Sequence, residues 1–175
     1  KTYDERSFDR GRRRDFGLYA SVDYSGLPRL DLVGGVRWDS IIQGANPGGG
    51  DERLESRQSP WTGFLAASYE LTDRLVAFAD AATAYRAPGL SELFYTGITG
   101  RGMIIARPDL SPERSLNWDA GLKWVSDRFY AAAYGFVYTV DGLIDRIQIE
   151  PSVYTYLNVD DARIQGLELE AEYYQ

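Results

Sequence analysis

Apolar and polar residues alternate with a period of two over most of this chain. Phe16, Leu18, Ala20, Val22 and Tyr24 fall on one side, and Asp15, Gly17, Tyr19, Ser21 and Asp23 on the other. That is the signature of a strand whose two faces meet different surroundings. The pattern returns with Leu30, Leu32, Gly34, Val36 and Trp38 against Asp31, Val33, Gly35, Arg37 and Asp39. It returns again over 61–71 and, with Leu116, Trp118, Ala120, Leu122 and Trp124, over 115–124. A sixth strand places Tyr130, Tyr134, Phe136, Tyr138 and Val140 on one face, with Ala131, Ala133, Gly135 and Thr139 on the other. A last one, 163–174, sets Leu167, Leu169, Ala171 and Tyr173 against Glu168, Glu170 and Glu172. The segment 75–86 is rich in alanine and would also suit a helix. The tight turn Thr72-Asp73-Arg74 ahead of it favours a hairpin, hence a strand.

Two regularities bear on fold class. The predicted strands run about 10–13 residues, longer than the usual soluble strand of roughly 5–6 and close to the ~9–11 that a tilted strand needs to cross a bilayer. The connections alternate in length: 25–29, 72–74 and 126–128 are short, whereas 41–59, 87–114 and 142–161 are long. Outer-membrane barrels have short turns at one end and long loops at the other. The pattern therefore predicts an all-β chain, an antiparallel up-and-down transmembrane β-barrel wall of about seven strands. Asp31, Arg37, Asn117, Asp119, Lys123, Glu168, Glu170 and Glu172 would face a wet lumen, and their alternates lipid. Trp38, Trp61, Trp118, Trp124, Tyr24 and Tyr173 are candidates for aromatic girdles. Residues 1–13 read as a solvated charged tail, and a short β excursion is expected within 147–158.

Composition narrows the functional classes. The chain has no cysteine and no histidine. That excludes, within these residues, a disulfide scaffold, thiolate metal sites, His-ligated zinc and Ser-His-Asp catalysis. The net charge of −7 argues against a nucleic-acid footprint. No run of 18 apolar residues exists, so no transmembrane helix is expected. No signal-peptide pattern opens the sequence, so an exported protein would be represented here by a mature segment. Seven strands would leave two edges unpaired in lipid, so the segment is expected to belong to a larger barrel.

One loop is more informative than the rest. A strand ends in Tyr85-Arg86-Ala87-Pro88, the knot Ser91-Glu92-Leu93-Phe94-Tyr95 follows, and Arg107-Pro108-Asp109-Leu110-Ser111-Pro112-Glu113 leads into the next strand. Its two prolines each fix φ and restrict the preceding residue. These three elements, in this order, resemble the barrel region of TonB-dependent outer-membrane receptors. So do Leu30-Asp31-Leu32-Val33-Gly34-Gly35-Val36-Arg37-Trp38-Asp39 and the run from Leu157 through Gly166-Leu167-Glu168-Leu169-Glu170.

The resemblance implies a partial barrel domain over 1–175, belonging to a 22-stranded barrel whose N-terminal plug and remaining strands lie outside this sequence. It implies a receptor that takes up a metal chelate such as a ferric siderophore, or cobalamin or another nutrient, driven by an energy-coupling complex acting through the plug. The implied partners are that TonB complex, outer-membrane lipid and the nutrient, with no nucleic acid, no cofactor, no bound metal and no catalytic residue. By the same resemblance, Arg86, Pro88, Glu92, Leu93, Pro108, Asp109, Leu110, Pro112, Glu113, Gly166 and Glu168 carry family motifs of structural weight.

Within the 87–114 loop, Tyr95, Arg101, Met103 and Arg107 are the candidate ligand contacts, since arginine and aromatic groups suit an anionic or aromatic chelate. The competing reading packs Phe94 and Tyr95 into the loop and pairs the arginines with Glu92, Asp109 or Glu113. Asp141, Asp145, Asp160 and Asp161 offer oxygen ligands without the spacing of a calcium loop. A passive porin-like channel and a soluble β-repeat module are the alternatives. The latter predicts shorter strands and an internal repeat.

Overall fold

The computed structural model describes residues 8–48 and 50–175. They form twelve strands and one helical turn: β1 (Phe8–Leu27), β2 (Leu30–Pro47), β3 (Leu54–Gln58), β4 (Trp61–Thr72), β5 (Leu75–Arg86), α1 (Leu90–Phe94), β6 (Gly97–Thr99), β7 (Gly102–Ile105), β8 (Glu113–Val125), β9 (Phe129–Asp141), β10 (Ile144–Glu150), β11 (Val153–Asn158) and β12 (Ala162–Tyr173). The wall is an antiparallel sheet in the order β1-β2-β4-β5-β8-β9-β12, with β3 also paired to β2. Each wall strand neighbours the next one in sequence, as an up-and-down barrel requires. The alanine-rich 75–86 segment is a strand, paired along its whole length with β8 from Leu75↔Trp124 to Arg86↔Glu113.

Register gives each face its meaning. Across the sheet, the residues in line with Leu116, Trp118, Ala120, Leu122 and Trp124 carry no charge on any strand over Phe16–Tyr24, Leu30–Trp38, Trp61–Tyr69, Leu75–Thr83, Ala131–Thr139 and Leu167–Tyr173. Many of these apolar side chains are bare, Val22 at 70% and Leu169 at 76% exposure. Burying so much apolar surface calls for a solvent other than water. These seven stretches are the membrane-spanning segments. No helix among the described residues is long and apolar enough to cross a membrane.

The aromatic face of β9 points to the lumen, because Phe136 stands opposite Asp119 and Tyr134 opposite Gly121. The small side of β9, Ala131, Ala133 and Gly135, faces lipid. The Glu168–Glu170–Glu172 ladder lies on the lumen face, and among the described residues tyrosines meet it. Tyr134 donates to Glu168, Tyr174 to Glu172, and Tyr130 sits 3.5 Å from Glu170. Asp119 accepts from Tyr138 at 2.9 Å.

The short turns share one device. The carbonyl of each turn arginine accepts from the next hairpin: Arg29 from Glu70 N–H, Arg74 from Val125 N–H and Arg128 from Tyr174 N–H. These bonds satisfy turn carbonyls that would otherwise lie unpaired near the lipid boundary. The first turn is tighter than expected, because β1 runs on to Leu27 and leaves only Pro28 and Arg29 between strands.

Two expectations about the long-loop end need correction. Residues 8–13 are not a solvated tail; they extend β1, paired to β2 from Phe8↔Pro47 through Arg13↔Gln43. Residues 1–7 of the expected tail lie outside the described residues. The 41–59 stretch, expected as a long connection throughout, is largely strand. β2 continues to Pro47 and the chain returns as β3, in the register that β4 then keeps, Ile41↔Gln58 leading to Trp38↔Trp61. Pro60, which lacks an N–H, sits at the break, and its carbonyl accepts from Asp39 N–H at 3.0 Å. Both stretches lack an apolar outer face because they rise above the membrane, so alternation between lipid and lumen cannot reveal them.

Candidate functional site

The 87–114 loop folds inward over the raised part of β1, β2 and β3. Its centre is α1, a single turn that Pro88 precedes and Gly89 opens. Glu92 reaches back to Gly89 N–H at 2.7 Å, satisfying a donor at the start of the turn. This places Leu93 and Phe94 against the sheet, both fully buried, in a small core with Ala45, Leu110 and Ile144. Gln43 donates to the Pro88 carbonyl at 2.9 Å and Gln58 to the Leu110 carbonyl at 3.1 Å, so two strand glutamines fasten the loop's ends. The Gln43 Oε1 is buried and has no hydrogen-bond partner among the described residues.

Arg86 joins the motif residues. Its guanidinium bonds to both oxygens of Glu113's carboxylate at 2.7 and 2.6 Å and to Glu92 at 3.0 and 3.1 Å. Glu113 also accepts from Ile144 N–H at 2.8 Å, which ties in the 142–161 loop. The carboxylates are 18% and 12% exposed in Glu92 and Glu113, the arginine 47%. Arg86 and Glu113 stand at the loop ends of β5 and β8, outside the membrane-spanning segments. The Arg86 guanidinium, helped by the Ile144 amide, holds Glu113 below its ordinary carboxylate value.

An Arg86→Gln substitution would leave two half-buried carboxylates facing each other. We expect it to destabilise the loop by about 2 kcal/mol, below the ~3–5 of a fully buried pair because the arginine is partly solvated. Hydrogen exchange over 87–112 should report the loss. Arg86→Lys should not restore protection, since an ammonium cannot bridge two carboxylates in fork geometry. Because Glu113's pKa is depressed in the folded loop, its contribution is present above about pH 4.3 and fades as the pH falls through the lower folded value. Loop protection that stayed flat from pH 6 to pH 3 would contradict this.

The two long loops make one cap. β7 runs parallel to β11, Val153↔Met103 through Thr155↔Ile105, in the four-stranded sheet β10-β11-β7-β6. Gly102, at φ +131°, is where they meet; any Cβ there would collide with the Ser152 carbonyl, which accepts from Met103 N–H at 2.8 Å. Asn158 staples the loops further down, donating to Ser111 and Gly142 carbonyls at 2.9 and 2.7 Å and accepting from Ser111 N–H at 2.9 Å. The β excursion expected at 147–158 is thus a hairpin, 144–158, with its own partner.

The four candidate contacts are not gathered at one point. Arg101 is exposed at the β6–β7 tip, and Met103, 42% exposed, lies beside it on β7. Ile98 and Ile105 share that exposed surface, whereas Ile104 turns to the other face and is buried. Tyr95 is half-buried and its hydroxyl donates to the Ile98 carbonyl at 3.2 Å. Arg107 is ion-paired with Asp109 at 2.8 Å, within its own proline turn. Arg101 makes no ion pair among the described residues, Glu92 and Glu113 both being taken by Arg86. Of the aspartates considered for calcium, Asp161 accepts from Gly142 N–H at 3.4 Å. No group of three or more metal-ligating side chains occurs among the described residues. Sequence reasoning missed Gln43 and Gln58, each polar and set in a segment with no motif of its own; Asn158 stood within the motif run that begins at Leu157, but with no role assigned to it.

Comparison with known proteins agrees with this architecture. The family model for the TonB-dependent receptor-like β-barrel matches residues 2–174. The vitamin B12 transporter BtuB of Photobacterium profundum is 28% identical over 174 residues, covering 81% of this chain and 28% of that protein. Among solved structures, the copper transporter OprC superposes with a TM-score of 0.74 at 28% identity, over 93% of this chain and 26% of that one. The Serratia marcescens hemophore receptor HasR, solved with its hemophore HasA and heme, gives a TM-score of 0.79 at 21% identity, over 94% of this chain and 32% of that one. The chain therefore spans about a quarter to a third of the length of these relatives.

Proposed function

We infer that this chain, which belongs to the TonB-dependent receptor-like β-barrel family, supplies part of the wall and three of the outer connections of an outer-membrane receptor for energy-coupled nutrient uptake. The observation that carries this reading is the cap: two long loops co-folded into one sheet above a wall with one charge-free face. The 87–114 loop is folded inward and pinned by a buried core. Loops fixed on a rigid scaffold are suited to recognition.

The cargo class is a metal chelate such as a ferric siderophore, or cobalamin or another scarce nutrient. The relatives are named as transporters or receptors of vitamin B12, copper and heme-carrying hemophore. Arg101 and Met103, with Tyr95 behind them, would present charge and apolar surface to such a ligand, and Arg107 would keep its turn rigid. Energy would come from the inner-membrane coupling complex acting on a plug, in a Gram-negative outer membrane. This segment contributes binding and a lipid-stable wall, and no catalytic step.

The test is uptake of a labelled panel of ferric siderophores, cobalamin and heme by cells expressing the longer protein that carries this segment. One panel member should accumulate, and collapse of the proton-motive force should abolish accumulation. An Arg101→Ala/Met103→Ala variant should weaken its binding about tenfold at unchanged folded amount. Uptake of several small solutes, indifferent to the proton-motive force, would favour the passive channel.

A further inference from the structure

The lipid-facing side of the wall does not end at the aromatic girdle. Above Phe16, Trp38 and Trp61, whose rings pack at 6.2 and 6.4 Å between centroids, the same face of β1 and β3 becomes arginine-rich. Register sets it out. Arg14 lies opposite Ile42 and Arg12 opposite Gly44, on the side of Phe16 rather than of Asp15. Arg57 and Glu55 pair with Ile42 and Gly44 from the other edge of β2. Arg53 follows on that side, its guanidinium lying where a side chain on Gly44 would be, 2.7 Å from such a Cβ.

Between these strands is a cleft of about 430 Å³, lined by Arg10, Arg12, Arg14 and Arg53 against only Asp51 and Glu55. Glu55 is shared, 3.7 Å from Arg53 and 3.2 Å from Arg57. Arg12 and Arg14 are exposed and form no ion pair among the described residues; the neighbouring Arg13 turns to Asp15 on the opposite face.

Height decides what the cleft meets. Arg14 and Arg12 are two and four residues beyond Phe16, about 7 and 14 Å along the strand. At a tilt of about 40° this is roughly 5 and 10 Å above the girdle. The polar headgroup zone is about 5–8 Å deep on each side of the hydrocarbon. Arg14 stands within this layer; Arg12 starts just above it, and Arg53 turns its guanidinium back to the level of Gly44 opposite Arg12, so long side chains bring all three to the phosphates, which guanidinium matches in fork geometry.

Resting on the membrane-barrel reading above, we propose that Arg12, Arg14 and Arg53 form a binding site for the phosphate of an anionic lipid headgroup in the leaflet on the long-loop side. The site is distinct from the ligand-facing cap, since it lies on the outer surface of the wall. It would fix the depth of β1–β3, the strands that carry the buried floor of the 87–114 loop.

The test uses the longer protein carrying this segment, purified in detergent, with native mass spectrometry after addition of a diphosphoryl glycolipid, its dephosphorylated form, or inorganic phosphate. The diphosphoryl lipid should be retained. An Arg12→Gln/Arg14→Gln/Arg53→Gln variant should bind it more weakly by roughly fivefold per arginine, about a hundredfold in all. The short-turn variant Arg29→Gln/Arg74→Gln/Arg128→Gln, at the opposite membrane face, should bind as wild type does. Heat-dependent gel mobility checks that each variant is folded. Equal retention by the triple variant, equal loss in the short-turn variant, or equal binding of the dephosphorylated lipid would overturn the proposal. Displacement by millimolar inorganic phosphate would make it a free-phosphate site and overturn the lipid assignment. A protein that stays folded and soluble without detergent would overturn it too, by a signal that identifies the barrel reading as the failed premise.

Discussion

Phe94→Ala should unfold the loop cap and leave the wall intact. Phe94 is the largest of the fully buried side chains, and it packs with Leu93, Leu110, Ala45 and Ile144 where the 87–114 loop meets the sheet. Truncating a fully buried phenylalanine costs about 3–5 kcal/mol, the upper part of that range applying where the site cannot collapse. Here one side is a strand pair and the other is fastened by Gln43 and Gln58, so collapse is restricted. Helix formation adds nothing of its own: α1 is one turn, and an isolated turn has no stability by itself. Amide exchange over 87–112 should accelerate at least a hundredfold. The effect should spread to 144–158, because β11 borrows β7 as its partner. Amides of β8 and β9 within the membrane-spanning segments should not change. Phe94→Leu should cost less than half as much. If exchange in 144–158 were unmoved while 87–112 opened, the two loops would not be one cooperative unit.

The wall was legible in the sequence because lipid and water impose opposite demands at alternate positions. Leu116 to Trp124 could be assigned to faces without a structure, and the short turns followed from Thr72-Asp73-Arg74 and Ser126-Asp127-Arg128. What lay above the membrane was not legible, for a physical reason. Arg12 to Arg14 and Leu54 to Gln58 are strands wet on their outer side, so charge replaces the apolar half of the pattern. Their partners are each other's backbones, to which composition is blind. The loop's interior was partly legible. The Ser91–Tyr95 knot and the Arg107–Glu113 turn were visible as motifs, and the structure shows what they accomplish: Arg86 gathers Glu92 and Glu113, which are 21 residues apart in the chain. The pairing of β7 with β11 was not legible, since it joins two loops whose sequences carry no mutual signal beyond a glycine at the contact.

Leu65→Arg and Ala66→Arg, one residue apart, should differ in cost by several kcal/mol. β4 runs from Trp61 at one girdle to Tyr69 at the other, so Leu65 is its midpoint. It lies opposite Gly34 and Ala81 on the charge-free face and is 61% exposed. An arginine there would stand in hydrocarbon, at about 2–4 kcal/mol near the midplane. Ala66 turns to the lumen and pairs with Asp80, itself opposite Asp119. An arginine at 66 would enter water beside two carboxylates, with a cost near zero and a slight gain at low salt. Tyr69→Arg, on the lipid face but at the girdle, should cost only about 0–1 kcal/mol, because a long side chain reaches the interface from there. Guanidinium unfolding of the longer protein in lipid vesicles measures all three. The order 65, then 69, then 66 requires both a face and a depth, and only a bilayer around this sheet supplies both. Equal costs at 65 and 66 would mean that both faces of β4 meet the same solvent, and the barrel wall would have to be abandoned. A large cost at 69 as well as 65 would place the hydrocarbon boundary beyond the short turns, and with it shift the level at which Arg12 and Arg14 meet the headgroups.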